Sequence, residues 1–239
     1  MERTDNGLLI AFEGIDGAGK TTQVEFLEHF LRAAGVPFTR SKEPTDGPWG
    51  RKIRASAGRK RMEPAEELHA FTEDRKEHVR DLIAPALARG EVVVLDRYFY
   101  STIAYQGALG GDPARIAAQM FEFAPTPDAV ILIDVPVEIG IARIEEGRKE
   151  TPNKFENVTQ LRASRAAFRS LPETYPNVVL IDGAQSAEAV RRAVMSTLIE
   201  GVLKKKFCAK RYGCSDPFTC GPRITGTCTW ANMCKHAKL

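Results

Sequence analysis

Residues Gly14–Thr21, inside the stretch "FEGIDGAGKTT" at 12–22, fit the spacing G-x-x-x-x-G-K-[ST]. Ahead of them stands the short apolar run "LLIAFE" at 8–13, and behind them "TTQVEFLEHFLRA", whose apolar residues recur at helical spacing. A strand, a glycine-rich turn and a helix in that order place backbone N–H groups at a helix N-terminus, where they can wrap a β-phosphate. Lys20 then adds a point charge between β- and γ-phosphates, and Thr21 offers its hydroxyl to Mg2+. The candidate residues for binding ATP or GTP are therefore Gly14, Asp16, Gly17, Ala18, Gly19, Lys20, Thr21 and Thr22. The bland alternative is a glycine-rich strand-to-helix turn with an incidental Lys, which this placement of the full motif disfavours.

Farther along the chain, "PFTR" at 37–40, "VVVLD" at 92–96, "AVILID" at 129–134 and "VVLID" at 178–182 alternate with longer stretches of helical periodicity. Such alternation predicts an α/β fold, a parallel sheet flanked by helices. The unbroken apolar character of "VVVL" and "VILI" suits strands buried on both faces. Asp96 and Asp134 close two of these strands, at the carboxyl ends that border a ligand crevice in open α/β sheets. In Asp96-Arg97-Tyr98 the carboxylate can hold a metal through water, while Arg97 neutralises another phosphate. Asp96 could equally cap the helix that follows, since Asp is a favoured N-cap. Two anion-binding elements at one crevice point to two phosphorylated ligands.

The chain has 239 residues, 43% hydrophobic and 27% charged, which suits one main globular domain. The start "MERTDNG" is polar, and the longest apolar runs are far shorter than a membrane span requires, so no membrane association and a cytoplasmic location are expected. The net charge of +3 is unevenly spread: residues 204–239 hold eight Lys/Arg and one Asp, leaving 26 basic against 30 acidic residues elsewhere. All five cysteines, Cys208, Cys214, Cys220, Cys228 and Cys234, fall in that segment. Composition thus divides the chain into a main domain, 1–203, and a small basic, Cys-rich C-terminal extension, 204–239. The cysteine spacing lacks the C-x2-C knuckle of common zinc sites. A zinc or iron–sulfur site on the five cysteines with His236, disulfides or reduced thiols docked on the main domain, and a disordered tail all stay open.

Beyond the first motif, the chain carries "EP" at 43–44, "FTEDRKEH" at 71–78, "DRYFYSTIAYQG" at 96–107, "ILIDVPVEIGIARI" at 131–144 and "LIDGAQS" at 180–186. Through these, in this order, it resembles the thymidylate kinase family over about residues 8–200. The resemblance implies a P-loop NTPase fold of the nucleoside-monophosphate-kinase type. It also implies transfer of the γ-phosphate of ATP, with Mg2+, onto the 5′-phosphate of dTMP to give dTDP. Phe71 and Arg75 are four apart on a predicted helix and share a face, where a ring can stack on a base while a guanidinium donates to its carbonyl. The family uses the matching pair on thymine, although Leu68, Phe71, Val79 and Leu82 also read as a core stripe. By the same resemblance Asp16 accepts from the sugar 3′-hydroxyl, Tyr105 crowds the 2′ position, and Ser101 and Gln106 line the base side. Tyr105 as ordinary helix packing is the alternative.

An acceptor phosphate oxygen is already ionised, so catalysis needs alignment and charge neutralisation rather than a base. Lys20, Arg97, Mg2+ held by Thr21 and Asp96, and a mobile arginine would supply it. The resemblance implies that this arginine comes from "RIEEGRKETPNKFEN" at 143–157; Arg148 is the first candidate and Arg143 the second, though a charge-rich loop is also ordinary surface. Three departures stand out: Lys42 where the family usually has Arg before Glu-Pro, Thr45-Asp46 where glycines are common, and "NKFE" at 153–156 where an Asp-Arg pair is common. Lys42 can neutralise the dTMP phosphate but lacks the bidentate fork of Arg. The expected partners are ATP, dTMP and a second copy of the chain. The competing readings are a P-loop kinase for another monophosphate or nucleoside, and a nucleotide-gated protein whose basic tail engages nucleic acid. Nucleic acid is not expected, because the acidic main domain would repel a polyanion.

Overall fold

Four runs rich in Val, Ile and Leu form strands, as β-branched side chains on a pleated surface favour, and a fifth, the edge strand FTRSK at 38–42, is polar. In a computed structural model, which describes residues 7–57, 62–147 and 158–207, they are β1 Leu8–Glu13, β2 Phe38–Lys42, β3 Val92–Asp96, β4 Ala129–Asp134 and β5 Val178–Asp182. All neighbours pair in parallel, in the order β2-β3-β1-β4-β5. Every residue of β1 and β4 is buried, which is why these strands show no alternation of apolar and polar residues. β2 runs two residues beyond the expected "PFTR", because its ladder to β3 continues through Ser41 opposite Leu95 and Lys42 opposite Asp96.

The helices are α1 Lys20–Ala33, α2 Pro48–Ala57, α3 Pro64–His78, α4 Ala84–Ala88, α5 Phe99–Ala108, α6 Pro113–Phe121, α7 Val137–Gly147, α8 Val158–Thr174, α9 Ala187–Leu198 and α10 Lys204–Phe207. Local chemistry sets several of their starts. Asp112 caps α6 by accepting from Ala114 N and Arg115 N, and Ser186 caps α9 by accepting from Ala189 N. α1 buries Val24, Leu27 and Leu31, a stripe at helical spacing, and packs against the sheet and α9, while α8 packs on α5, β4 and β5. A kink at Gly201 (φ −93°, ψ −110°), within Ile199–Leu203, separates α9 from α10, and helical structure resumes beyond it to Phe207. There Lys206 Nζ donates to Gly7 O (3.0 Å) and Phe207 lies partly buried against the core. The five cysteines lie outside the described residues.

The chain leaves β1 for the edge strand β2, returns to β3 beside β1, and then crosses to β4 on the other side. That reversal puts the carboxyl ends of β1 and β3 next to each other, with Phe12 opposite Asp96. A crevice opens at such a switch point.

Asp134, at the end of β4, is instead filled by arginines from α8: Arg165 Nε and Nη2 donate to it at 2.7 and 2.9 Å, and Arg169 Nη1 donates as well. Burial alone would raise its pKa, but the two arginines hold it below the ordinary value of 3.8. A carboxylate lowered in the folded state stabilises the fold above its unfolded pKa, and that contribution fades as pH falls through the folded value. Asp134→Asn should therefore cost about 1.5–3 kcal/mol near neutral pH, at the lower end because Arg169 is solvent-screened. The difference from wild type should shrink below pH ~4. Urea unfolding of both proteins across pH checks this; a difference that does not vary with pH would refute it.

Candidate active site

The turn after β1 is pressed between two elements. A Cβ on Gly14 would stand 2.3 Å from Ile133 O, and one on Gly17 would stand 2.1 Å from Gly140 O, with φ of 135° and 75° at the two glycines. No residue with a side chain fits either position without displacing backbone. Lys20 opens α1 and folds back over the turn, its Nζ donating to Gly14 O (3.1 Å) and Ile15 O (2.8 Å). Burial, and then the like charge of Arg97, lower its pKa to about 8, against the pull of Asp16, Asp96 and Glu13.

The end of β3 is stitched to this turn. Arg97 N donates to Phe12 O (2.9 Å), and its backbone then turns left-handed at φ 71°. The guanidinium comes back over the turn: Nη1 donates to Gly14 O (3.1 Å) and Ser101 Oγ (3.0 Å), Nη2 donates to Asp16 Oδ1 (2.5 Å), and the group lies 5.4 Å from the Tyr105 ring centre. Asp96 accepts from Thr21 Oγ1 at 2.5 Å. It does not cap the next helix, whose N-cap is Tyr98 with no local side-chain cap.

That helix start is satisfied from a distance by Glu13. Its buried carboxylate accepts from Tyr98 N (2.8 Å), Ser101 N (3.2 Å) and Ser101 Oγ (2.5 Å). Burial drives its pKa up to about 7, although the Ser101 hydrogen bond and Arg97 oppose the shift.

A second buried carboxylate forms the wall next to β2. Glu43 accepts from Arg75 Nε (2.9 Å) and Nη2 (2.5 Å), and meets His78 Nδ1 at 3.0 Å. Burial would raise the Glu43 pKa, yet the Arg75 charge and the His78 hydrogen bond lower it. Arg75, 1% exposed, also donates to Thr102 Oγ1 (3.1 Å) and Met120 Sδ (3.0 Å). Thr45, one of the residues standing where glycines are common in the family, ties its loop to α3: its N and Oγ1 donate to Asp74 at 2.8 and 2.6 Å. Lys42 is exposed and 3.6 Å from Asp46.

Asp16, Lys20, Thr21, Lys42, Asp96 and Arg97 border one cleft of about 670 Å3, and Arg143 reaches its edge. Arg143 Nη2 also donates to Gln185 O (3.4 Å). Phe71, Arg75, Ser101, Tyr105 and Gln106 stand outside that lining, on the pairing of α3 with α5 beside it. Phe71 is half-buried there, and Tyr105 sets its ring edge-on to Phe168 at 5.7 Å. Arg148 and "NKFE" fall within 148–157, outside the described residues. Glu13, Glu43, Glu67, Asp74 and His78 are the site-building residues that sequence reasoning missed. Glu13 carried a signal, a carboxylate ending a strand that is otherwise apolar, and Glu43, Asp74 and His78 stand within "EP" and "FTEDRKEH", but nothing in the sequence pointed to their partners.

The family model for thymidylate kinase matches residues 12–194. The chain belongs to the thymidylate kinase family. It is 47% identical over 200 residues to a thymidylate kinase of Xanthomonas campestris pv. campestris (strain B100), covering 83% of this chain and 86% of that one. A thymidylate kinase of Xylella fastidiosa (strain 9a5c) is 46% identical over 193 residues, 81% of this chain and 91% of its own. The sequence-level resemblance and the P-loop fold of the nucleoside-monophosphate-kinase type thus hold.

A carboxyl whose pKa is raised on folding keeps a proton that the unfolded chain gives up, so stability falls as pH climbs from about 4.5 to about 7. Glu13→Gln removes this titration. Relative to that variant, the wild type should lose about 1–3 kcal/mol across the window, read from urea unfolding at fixed pH steps. Parallel pH profiles for the two proteins would rule the shift out.

Proposed function

We propose that this member of the thymidylate kinase family transfers the γ-phosphate of ATP to the 5′-phosphate of dTMP, giving dTDP and ADP. The observation that carries the reading is the Arg97 side chain, which joins the phosphate-binding turn to the end of β3 at the same opening as Lys20. Two anion-binding elements then serve two phosphate chains. One acceptor phosphate oxygen forms the new P–O bond, the bond to the β,γ-bridging oxygen breaks, and that oxygen leaves with ADP; no proton has to be removed first.

Lys20 now donates to two carbonyls of the turn, and phosphate oxygens are stronger acceptors for the same ammonium. Arg97 is aimed by Asp16 and Ser101 and would neutralise charge between the phosphate groups. The hydroxyl of Thr21 and the carboxylate of Asp96 are hard oxygen donors in direct contact, a pair suited to Mg2+ completed by substrate phosphates and water. Held there, the ion would supply neutralisation of charge on the donor's phosphates. In the same reading Lys42 attracts the acceptor phosphate, Phe71, Arg75, Ser101, Tyr105 and Gln106 border the deoxynucleoside, and Arg148 or Arg143 closes on the transferring group.

No described helix is long and apolar enough to cross a membrane. A cytoplasmic homodimer, and the division into a catalytic unit and a basic extension from residue 204, complete the proposal. Because Lys206 and Phe207 pack on the domain, a chain ended after Phe207 is the shortened form expected to keep turnover.

Coupled assays with ATP and dTMP, dUMP, dGMP, dCMP or thymidine test the reading; the highest kcat/KM is expected for dTMP. Lys20→Ala and Arg97→Ala should each lower kcat by roughly 100-fold or more with the fold retained. Full activity in either variant, or preference for another acceptor, would overturn the corresponding assignment.

A further inference from the structure

Glu67, Phe71 and Arg75 fall at i, i+4 and i+8 on α3 and so share one face. Two side-chain bonds turn that face to α5: Arg75 Nη2 donates to Thr102 Oγ1 (3.1 Å), and Gln106 Nε2 donates to Glu67 Oε2 (2.8 Å). Half-buried Phe71 lies between them along the helix. Glu67 and Gln106 are both buried, at 8% and 4% exposure.

A glutamine amide has a donor end and an acceptor end, and its surroundings decide which way it points. A carboxylate only accepts. Glu67 therefore faces the amide nitrogen of Gln106, and the carbonyl Oε1 is turned away from it. We propose that Glu67 is a specificity-determining positioning residue, which fixes the Gln106 amide so that its carbonyl is the acceptor presented to the nucleotide base. The inference rests on the proposed reading in which Phe71, Arg75 and Gln106 border that base.

With Arg75 as donor and the Gln106 carbonyl as acceptor, the site matches an imide edge, a C=O beside an N–H, as in thymine. Cytosine carries an amino group and a bare ring nitrogen at the same places, so both contacts become donor-to-donor or acceptor-to-acceptor. A buried site built on hydrogen bonds rejects such a mismatch far more strongly than an apolar pocket does. If the Gln106 amide could turn over, it would offer its nitrogen to cytosine and the discrimination would weaken.

Glu67→Gln keeps the volume but offers a donor as well as an acceptor, which frees the Gln106 amide to turn. The test measures kcat/KM for dTMP and dCMP, KM for ATP and the urea midpoint in wild type, Glu67→Gln, Gln106→Leu and the double variant. Glu67→Gln should lower the dTMP-to-dCMP ratio by roughly tenfold, chiefly through KM for dTMP, with KM for ATP and the urea midpoint little changed. In the Gln106→Leu background, where the ratio is already low, Glu67→Gln should add nothing. An unchanged ratio in Glu67→Gln, or an equal drop in both backgrounds, overturns the proposal. Should Glu67→Gln fail to fold, Gln106→Leu decides alone, since a wild-type ratio there overturns it too. Wild type without dTMP turnover would remove the underlying base-site reading before any substitution is made.

Discussion

The contact between the ends of β1 and β3 governs the rest of the molecule. Arg97 N extends the ladder to Phe12 O, and the Arg97 guanidinium then reaches Gly14 O, Asp16 and Ser101. One residue therefore belongs at once to the sheet, to the glycine-rich turn and to the start of α5. Because β1 and β3 are neighbours only through the reversal of strand order, the topology decides that Lys20, Thr21, Asp96 and Arg97 can meet at all.

A second theme is the burial of carboxylates behind the cations. Glu13 holds the Ser101 hydroxyl that in turn receives Arg97, Glu43 takes two bonds from Arg75, and Asp134 gathers Arg165 and Arg169. An isolated buried guanidinium would be costly, and that of Arg75 is offset by Glu43 with further hydrogen bonds, whereas Arg165 and Arg169 remain partly or largely open to solvent. Pairing lowers the pKa of both Glu13 and Asp134, yet the net shifts differ in sign. Burial dominates at Glu13 and raises its pKa to about 7, whereas the arginines dominate at Asp134 and lower it.

The fold was largely legible because its information is local. Gly14–Thr21 announces a strand, a turn and a helix within a few residues, and β1 and β4, buried on both faces, read as unbroken apolar runs. The cleft residues Asp16, Lys20, Thr21, Asp96 and Arg97 were legible for the same reason, each lying within a short motif. Glu13, Glu43, Glu67 and Asp74 were not. Their partners lie 88, 32, 39 and 29 residues away, and no spacing rule links a carboxylate to a donor so distant in the chain. Arg75 shows the mixed case: periodicity placed it on the right helix face, but its near-complete burial on Glu43 depends on a loop whose path only the tertiary structure fixes. The capping reading of Asp96 failed because the helix starts later, with Tyr98 at its N-cap, and the Asp96 carboxylate instead accepts from Thr21, distant in sequence.

The left-handed backbone of Arg97 has an evolutionary side. A non-glycine residue at φ 71° carries roughly 1–3 kcal/mol of strain, which glycine would relieve. Glycine would also lose the guanidinium bonds to Gly14 O, Asp16 and Ser101, so the arginine persists only where those bonds, or the phosphate handling proposed for them, outweigh the strain. In chains descended from this one, the residue in that slot becomes a gauge of whether the turn is still used: relaxation to glycine would mark a fold retained after its chemistry was abandoned.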